Sequence, residues 1–387
     1  MKILVITENI GENAPGIVFE RLLHGLSVHN EITILTANYQ PENVIQNIQD
    51  VIVSPKLNIH PRIYKFLIGI LGVNPYDTYW AIKSINVLKR KVNTRFEIVM
   101  SFLSYSHFAG LIAGNKYSKK HHIRHAVYSV DAIPPPPGWL EIDYYYSGLQ
   151  KMVGKYLSSA SFLFSLNNQM LSYQLKTFVP SGKLISGVIY TPGNSERIFP
   201  DPNDQSSYNF VYTGGIYGLR KVDYVLKGFQ KLLEVYPNSV FQFIGSQLQN
   251  ESLFSIDSDT LKKIEIHPFT KDLDPFYRNA TALIDIDADT ENDVFLSSKI
   301  SNYLMINRII ISETSINSPS QLLFKGINSI IQCEHNGDKV FMAMKRAIEM
   351  KETVSFDDRK SVIGLFKLEN IVNKLNDTLR DNLGKTG

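Results

Sequence analysis

Short blocks of consecutive apolar residues alternate along this chain with segments in which apolar positions recur every three or four residues. Lys2 to Ile6 is the first block. After a loop through Gly11 and Gly16, residues Phe19, Leu22, Leu23 and Leu26 share one helical face, and Glu31 to Thr36 is the next block. Buried parallel strands read as continuous apolar runs and amphipathic helices as a 3.6-residue period, so the opening reads strand, helix, strand. Further strands are expected at Glu97 to Met100, Ala126 to Ser129, Ser161 to Leu166 and Leu184 to Ile189, with helices around Phe108 to Ala113 and Tyr145 to Leu157. The second half repeats the alternation, with strands at Val240 to Ile244, Ile264 to Ile266, Ala282 to Ile286, Ile309 to Ser312 and Ser329 to Gln332. Such alternation predicts an α/β fold with a parallel, doubly wound sheet in each half. The likeness between the halves lies in this pattern and in no sequence repeat.

The stretch Asn209 to Tyr236 carries the densest information. Asn209 to Tyr212 reads as a buried strand, and Val222, Val225, Leu226, Phe229, Leu232, Leu233 and Tyr236 as the inner face of a helix that Pro237 ends. Between them Gly214 and Gly215 let backbone approach a ligand closely, and Arg220 and Lys221 supply charge. Two readings fit the loop: a cradle for a diphosphate, and a tight turn beside a solvated cationic pair. It is neither a Walker A loop nor G-x-G-x-x-G, which also disfavours a nicotinamide enzyme. In a second stretch, Phe295 to Ile311, Ser297 or Ser298 can cap a helix that carries Lys299, Asn302 and Tyr303, a setting for phosphate and ribose hydroxyls or simply a capped helix before a strand.

Thr191 to Ser206 is dense in Pro, Gly, Asn, Asp and Ser and reads as a linker, which divides the 387 residues into domains 1–190 and 191–362. Leu365, Leu368, Ile371, Val372, Leu375 and Leu379 predict a terminal amphipathic helix over about 363–387. The longest plainly apolar run, Phe66 to Val73, is far below the ~20 residues of a membrane span, and MKILVITENIG is shaped as a strand rather than as a signal peptide. A cytoplasmic protein is expected. The single Cys333 excludes an internal disulfide and reads as a core residue, and no Cys/His cluster has zinc spacing.

Net charge is +3, unevenly spread: residues 1–190 hold 18 Lys/Arg against 11 Asp/Glu, and 191–387 hold 22 against 26. Residues 51–190 contribute 16 basic and 5 acidic side chains. This basic stretch suits a phosphorylated acceptor or an anionic membrane surface at the inner face of the membrane, with solvated helix faces as the plain alternative. No nucleic-acid-binding motif accompanies the charge. Asp285, Asp287 and Asp289 invite a D-x-D metal reading, which the tail-of-strand pattern ALIDID disfavours, and KKHHIRH, holding His121, His122 and His125, reads as an exposed loop. At strand ends in the first half, Ser101 to His107 and Val130 to Trp139 occupy the place where ligands bind in such sheets; Asp131 there precedes four prolines, Pro134 to Pro137.

Taken together, YTGGIYGLRKVDYVLKGF and SSKISNYLMINRIII resemble the donor-binding segments of the GT-B glycosyltransferases, more narrowly the retaining, sugar-nucleotide-dependent family 4, over the whole length. The resemblance implies two Rossmann-like domains facing across a cleft, with the C-terminal helix crossing back to the first. It gives Gly214, Gly215, Arg220 and Lys221, with Lys227 as an alternative lysine, to the donor diphosphate. Ser298, Lys299 and Asn302 go to phosphate and ribose, His267 and Phe269 to the base, and Gly16 with Gly11 to the first glycine loop. Asp131 and His107 take the catalytic side. The sequence departs from the family where its glutamates fall on Asn302 and Val294, its glycine on Asn307 and its proline on Ile309; an amide also donates where a carboxylate only accepts. The implied function is metal-independent, cofactor-free transfer of a hexosyl group from a nucleotide-diphosphate sugar to a saccharide or lipid-linked hydroxyl in bacterial cell-surface polysaccharide assembly. The alternative is a catalytically degenerate GT-B protein that binds nucleotide or glycan as a scaffold.

Overall fold

The computed structural model describes residues 1–139, 142–200, 207–248, 256–350 and 356–383, and it divides into two compact units, 1–192 with 368–387 and 193–367. Each is a wholly parallel sheet among helices. In the first, strands β1 (Lys2–Ile10), β2 (Glu31–Tyr39), β3 (Ile48–Val53), β4 (Ile98–Leu103), β5 (Arg124–Ser129), β6 (Phe162–Ser165) and β7 (Ile185–Val188) lie in the order β3-β2-β1-β4-β5-β6-β7. In the second, β8 (Tyr208–Thr213), β9 (Ser239–Ile244), β10 (Ile264–His267), β11 (Ala282–Ile286), β12 (Ile309–Glu313) and β13 (Ile330–Cys333) lie in the order β10-β9-β8-β11-β12-β13. The apolar runs read from sequence form the central strands because both their faces are covered. Ile3 to Ile6 and Phe210 to Tyr212 are fully buried.

Strand β3 escapes the sequence reading for a physical reason. It is an edge strand whose burial is confined to Ile52, with Gln49, Asp50 and Val51 all exposed, so no apolar run marks it. His125, expected in an exposed loop, lies in β5: it is buried with Nε2 2.8 Å from Ser101 Oγ, and burial pushes its imidazole pKa down to about 3. His121 and His122 do close an exposed helix end. Cys333 is half-buried rather than fully in the core.

In each sheet the strand order reverses once, between β1 and β4 and between β8 and β11. At such points adjacent loops diverge to opposite faces and leave a crevice at the strands' carboxyl ends. Helices α1 (Ala14–His29), α2 (Pro61–Leu71), α3 (Pro75–Lys91), α4 (Ala109–His121), α5 (Asp143–Met152) and α6 (Asn168–Thr177) cover the first sheet. Helix α7 (Asp223–Val235) follows β8 and buries Val225, Leu226, Phe229 and Leu232, the face its periodicity marks. The expected terminal helix is two helices. Phe356–Phe366 stays in the second unit with Leu365 37% exposed, and Leu368–Leu383 lies on α1, so the return is at Leu368 rather than about 363. A Cβ on Gly25 of α1 would come within 2.4 Å of Val372, and Asn30 Nδ2 donates to Asn376 Oδ1 at 2.9 Å.

Of the expected linker, Gly193 to Pro200 packs within the second unit: Arg197 N–H donates to Met305 O at 2.7 Å, and Asn307 exchanges two hydrogen bonds with the Phe199 backbone. Residues 201–206 lie outside the described residues. Among the described residues no helix is long and apolar enough to cross a membrane.

Candidate active site

The second unit's reversal point brings together Gly214, Arg220 and Lys299 of the residues expected on the donor side. Strand β8 ends at Thr213, whose N–H and hydroxyl both lie 2.9 Å from the Tyr303 hydroxyl. That contact ties the short helix Ser298–Tyr303 to the end of β8 and lays Lys299, one turn earlier, across Gly214. Gly214 has φ +91°, a conformation that glycine adopts without strain, and a Cβ there would meet Lys299 Cε at 3.3 Å. The Lys299 ammonium stands 4.9 Å from the centre of the Tyr212 ring.

Arg220 reaches the same place from the other side of the loop. Its backbone bridges to Ala288, and Asp289 N–H donates to Leu219 O at 3.0 Å, so the loops after β8 and β11 are stitched together. The side chain is 8% exposed, with its guanidinium 5.2 Å from the Tyr217 ring centre. Burial alone would lower its pKa, but Tyr217, Tyr212 and the Asp287 and Asp285 carboxylates outweigh it and hold the pKa above the usual value. Lys299 is pushed the other way, down to about 8, by burial first and then by the charge of Arg220, against Asp285 and Asp287. Two cations thus repel each other beside a glycine, a combination that a bound anion relieves.

Beneath them lies a set of carboxylates that the strand-tail reading passed over. Asp285, Asp287 and Asp293 are buried, at 0%, 0% and 1% exposure. Neither Asp285 oxygen accepts a hydrogen bond among the described residues. Asp287 Oδ2 accepts from Thr314 Oγ1 at 2.9 Å and Ser318 Oγ at 3.3 Å, and burial, with Asp285 and Asp293 adding, lifts its pKa to about 7. Asp293 Oδ1 accepts from Phe295 N–H at 2.9 Å. His335 braces the stitched loop: one ring nitrogen is 3.0 Å from Glu313 Oε1 and the other 3.1 Å from Ala288 O. Burial opposes a proton on this ring, yet the Glu313 contact and charge win and its pKa stands above normal. Among the described residues no group of three or more His, Cys, Asp or Glu side chains is arranged to hold a metal ion.

Several of the residues expected on the donor side stand apart. Lys221 is exposed and lies 3.4 Å from Asp289 Oδ2, so the adjacent Arg and Lys point to different partners, and Lys299 is the lysine at Gly214. Lys227 is exposed on α7, with its Cβ against Gly337. Gly215 is exposed, and its carbonyl accepts from the Tyr212 hydroxyl at 3.0 Å. Ser297 takes the N-cap position, but neither it nor the exposed Ser298 makes the expected side-chain cap. Asn302 is half-buried on the same short helix, while Val294 is buried with Asp293 turned into the carboxylate set.

The ends of β8, β9 and β10 are also stitched, by Gly214 N–H to Ile244 O at 2.8 Å and Gly245 N–H to His267 O at 2.9 Å. Phe269, 73% exposed, lies against Gly245, whose added Cβ would meet Phe269 Cα at 3.4 Å. His267 is occupied with Glu265 Oε2 at 3.2 Å and the edge of Phe276.

In the first unit, His107 and Asp131, on the loops after β4 and β5, both contact the Tyr105 backbone. Asp131 Oδ2 accepts from Tyr105 N–H at 2.8 Å, and His107 Nδ1 lies 3.1 Å from Tyr105 O. The same nitrogen lies 3.3 Å from Ser104 Oγ. Gly16 lies in the first turn of α1, and its N–H donates to the N-cap Asn13 Oδ1 at 2.8 Å.

No family model and no curated protein matches the chain. Solved structures do. Anabaena HepE, solved in complex with UDP-glucose, superposes with a TM-score of 0.69 over 98% of this chain and 100% of its own at 10% identity. The fold is GT-B. The lipopolysaccharide outer core galactosyltransferase WaaB superposes on this GT-B chain at 0.63 with 14% identity, covering 98% of it and 99% of WaaB. The E. coli trehalose-6-phosphate structure bound with UDP-2-fluoro glucose also reaches 0.63, at 11% identity and full coverage of both chains.

Proposed function

We propose that this protein is a glycosyltransferase that moves a hexosyl group from a nucleotide-diphosphate sugar to a hydroxyl acceptor, with retention and without a metal, in cell-surface polysaccharide or glycoconjugate assembly. The observation that carries the reading is the meeting of Lys299 and Arg220 beside Gly214 at the second unit's reversal point. Charge grows on a leaving diphosphate as the sugar departs. Two pre-placed cations in a largely buried setting stabilise that charge without reorganising. Gly214 admits the phosphates close to backbone, Asn302 hydrogen-bonds ribose hydroxyls, and Phe269 offers an exposed ring to the base. Solved GT-B structures that hold UDP or UDP-glucose support a donor of this class. His107 and Asp131 serve the acceptor, a saccharide or lipid-linked hydroxyl, with Asp131 holding the Tyr105 turn that orients His107.

The test is turnover of uridine, guanosine and adenosine diphosphate sugars by the purified protein. Arg220→Ala and Lys299→Ala are each expected to cost about 10²-fold or more in rate. Unchanged rates in both variants reject the assignment. The asparagine at 302 favours a second reading, a degenerate GT-B scaffold, and donor binding without hydrolysis or transfer would support it.

A further inference from the structure

The six-residue helix Ser298–Tyr303 carries Lys299, yet it is too short to hold its own shape and has no side-chain cap at its start. Its position is therefore imposed from outside. One tie is the Tyr303 hydroxyl on Thr213. Another is the backbone at Gly193, packed so closely that a Cβ there would lie 2.4 Å from Ser301 O and 2.9 Å from Met305 Cε. The third comes from far along the chain, from Arg359 in the helix Phe356–Phe366.

Arg359 is fully buried, a setting that a guanidinium enters only when its donors are met. Nη1 donates to Ile306 O at 2.8 Å and to Tyr303 O at 3.4 Å, carbonyls at the end of the short helix. Nη2 donates to Arg308 O and to Ser329 O at 3.1 Å, and Nε to Ser329 Oγ at 2.9 Å. These five hydrogen bonds match the five N–H groups of the side chain. Among the described residues no carboxylate accepts one of them; the neighbouring Asp358 gives Oδ2 to Ser329 N–H at 2.7 Å. Burial lowers the pKa of Arg359, and the charge of Asp358 offsets only part of that. A buried charge met by neutral acceptors is costly, and what this one supplies is reach. Its planar fork joins the end of the short helix to the residues that precede β12 and β13, Arg308 and Ser329. Tyr303 is thus held at both ends, its hydroxyl at the end of β8 and its carbonyl at Arg359, with Lys299 one turn before it.

We propose that Arg359 is a positioning residue of the donor site: by fixing the end of the helix Ser298–Tyr303 it sets Lys299 against Gly214. It acts through that helix and touches no donor atom. The inference rests on the reading of Lys299 as a diphosphate cation, but its first test needs no donor. The unliganded full-length protein is labelled with trace acetic anhydride across a range of pH, below its melting transition, and modification of Lys299 is followed by peptide mass spectrometry. In the unmodified protein the ammonium is expected to titrate at about 8. Arg359→Lys keeps the charge but replaces a five-donor fork by a three-donor ammonium. With Arg220, Asp285 and Asp287 unchanged, the Lys299 inflection is expected to rise by about one pH unit or more as the side chain leaves Gly214 for water. Ser329→Ala, the milder change, removes only the Nε acceptor and is expected to raise it by less. Arg308→Lys is the control. That guanidinium is also buried on carbonyls, but its bonds to Pro200 O at 2.8 Å and Arg278 O at 2.7 Å lie away from the short helix. It is expected to lower the melting temperature and leave Lys299 near 8. An unmoved inflection in both Arg359→Lys and Ser329→Ala overturns the proposal, and so does an equal rise in Arg308→Lys, which would report general loosening. With donor present, Arg359→Lys is expected to slow turnover about tenfold; unchanged turnover beside a shifted Lys299 overturns the positioning role. A shifted inflection in a protein that binds no nucleotide sugar supports the hold on Lys299 and rejects the donor reading instead.

Discussion

The two sheets offer the same crevice, at the point where strand order reverses, and fill it with opposite arrangements of charge. In the first unit Lys56 lies between Glu8 and Asp77, at 2.6 and 2.7 Å, while Ala109 N–H donates to Glu8 Oε1 and the Tyr64 hydroxyl to Asp77 Oδ2, each at 2.7 Å. Every charge there has its partner. In the second unit Arg220 and Lys299 share a crevice with three buried carboxylates, yet among the described residues neither makes an ion pair. On the proposed reading, the difference separates a structural charge set from a binding one. A closed triad holds loops together, whereas cations left without direct partners keep electrostatic energy for an incoming anion.

Breaking the closed set is expected to have the largest effect. Lys56→Met leaves two buried carboxylates facing each other and is expected to cost about 3–5 kcal/mol of stability in denaturant unfolding. Donor affinity of the folded fraction should stay unchanged. A variant that kept its stability would show the triad to be no closed set. Next in size, Arg220→Ala should lower turnover or donor affinity by about 10²-fold while moving the unfolding midpoint far less than Lys56→Met does.

The pKa of Lys299 sharpens the contrast further. Only the protonated ammonium attracts phosphate, and in the unliganded protein it titrates at about 8. Donor affinity is therefore expected to fall as pH rises through about 8, toward tenfold per pH unit above it if Lys299 carries the whole dependence. Lys299→Arg should remove the inflection because arginine stays charged. A flat profile in the unmodified protein, measured by calorimetry, would mean that Lys299 does not face the donor. Smallest of all, Lys221→Ala is expected to change donor turnover less than twofold, since its side chain is 55% exposed and paired with Asp289. A large loss would return Lys221 to the site.

Much of this protein was legible in the order of its residues. Continuous apolar runs mark every central strand because a parallel sheet covered on both faces demands them, and the glycine loop after β8 announces a close approach of backbone to something. Strand β3 stayed hidden because an edge strand needs only Ile52 inside, and His125 because its neighbours Lys119, Lys120 and Arg124 gave a buried strand the look of a loop. The break after Phe366 was equally silent, since Leu365 and Leu368 keep helical spacing across it.

The pattern of apolar positions determined two doubly wound sheets and put the candidate loops at their strands' carboxyl ends. Tertiary structure alone decided which cations meet there. Arg220 and Lys221 are neighbours in sequence, but the bridge to Ala288 turns one inward and leaves the other on Asp289, and the place at Gly214 goes to Lys299, 78 positions beyond Lys221, held there by Tyr303. Periodicity reports burial one element at a time. Which charges meet depends on the register of loops from different strands, and that is set only when the sheet assembles.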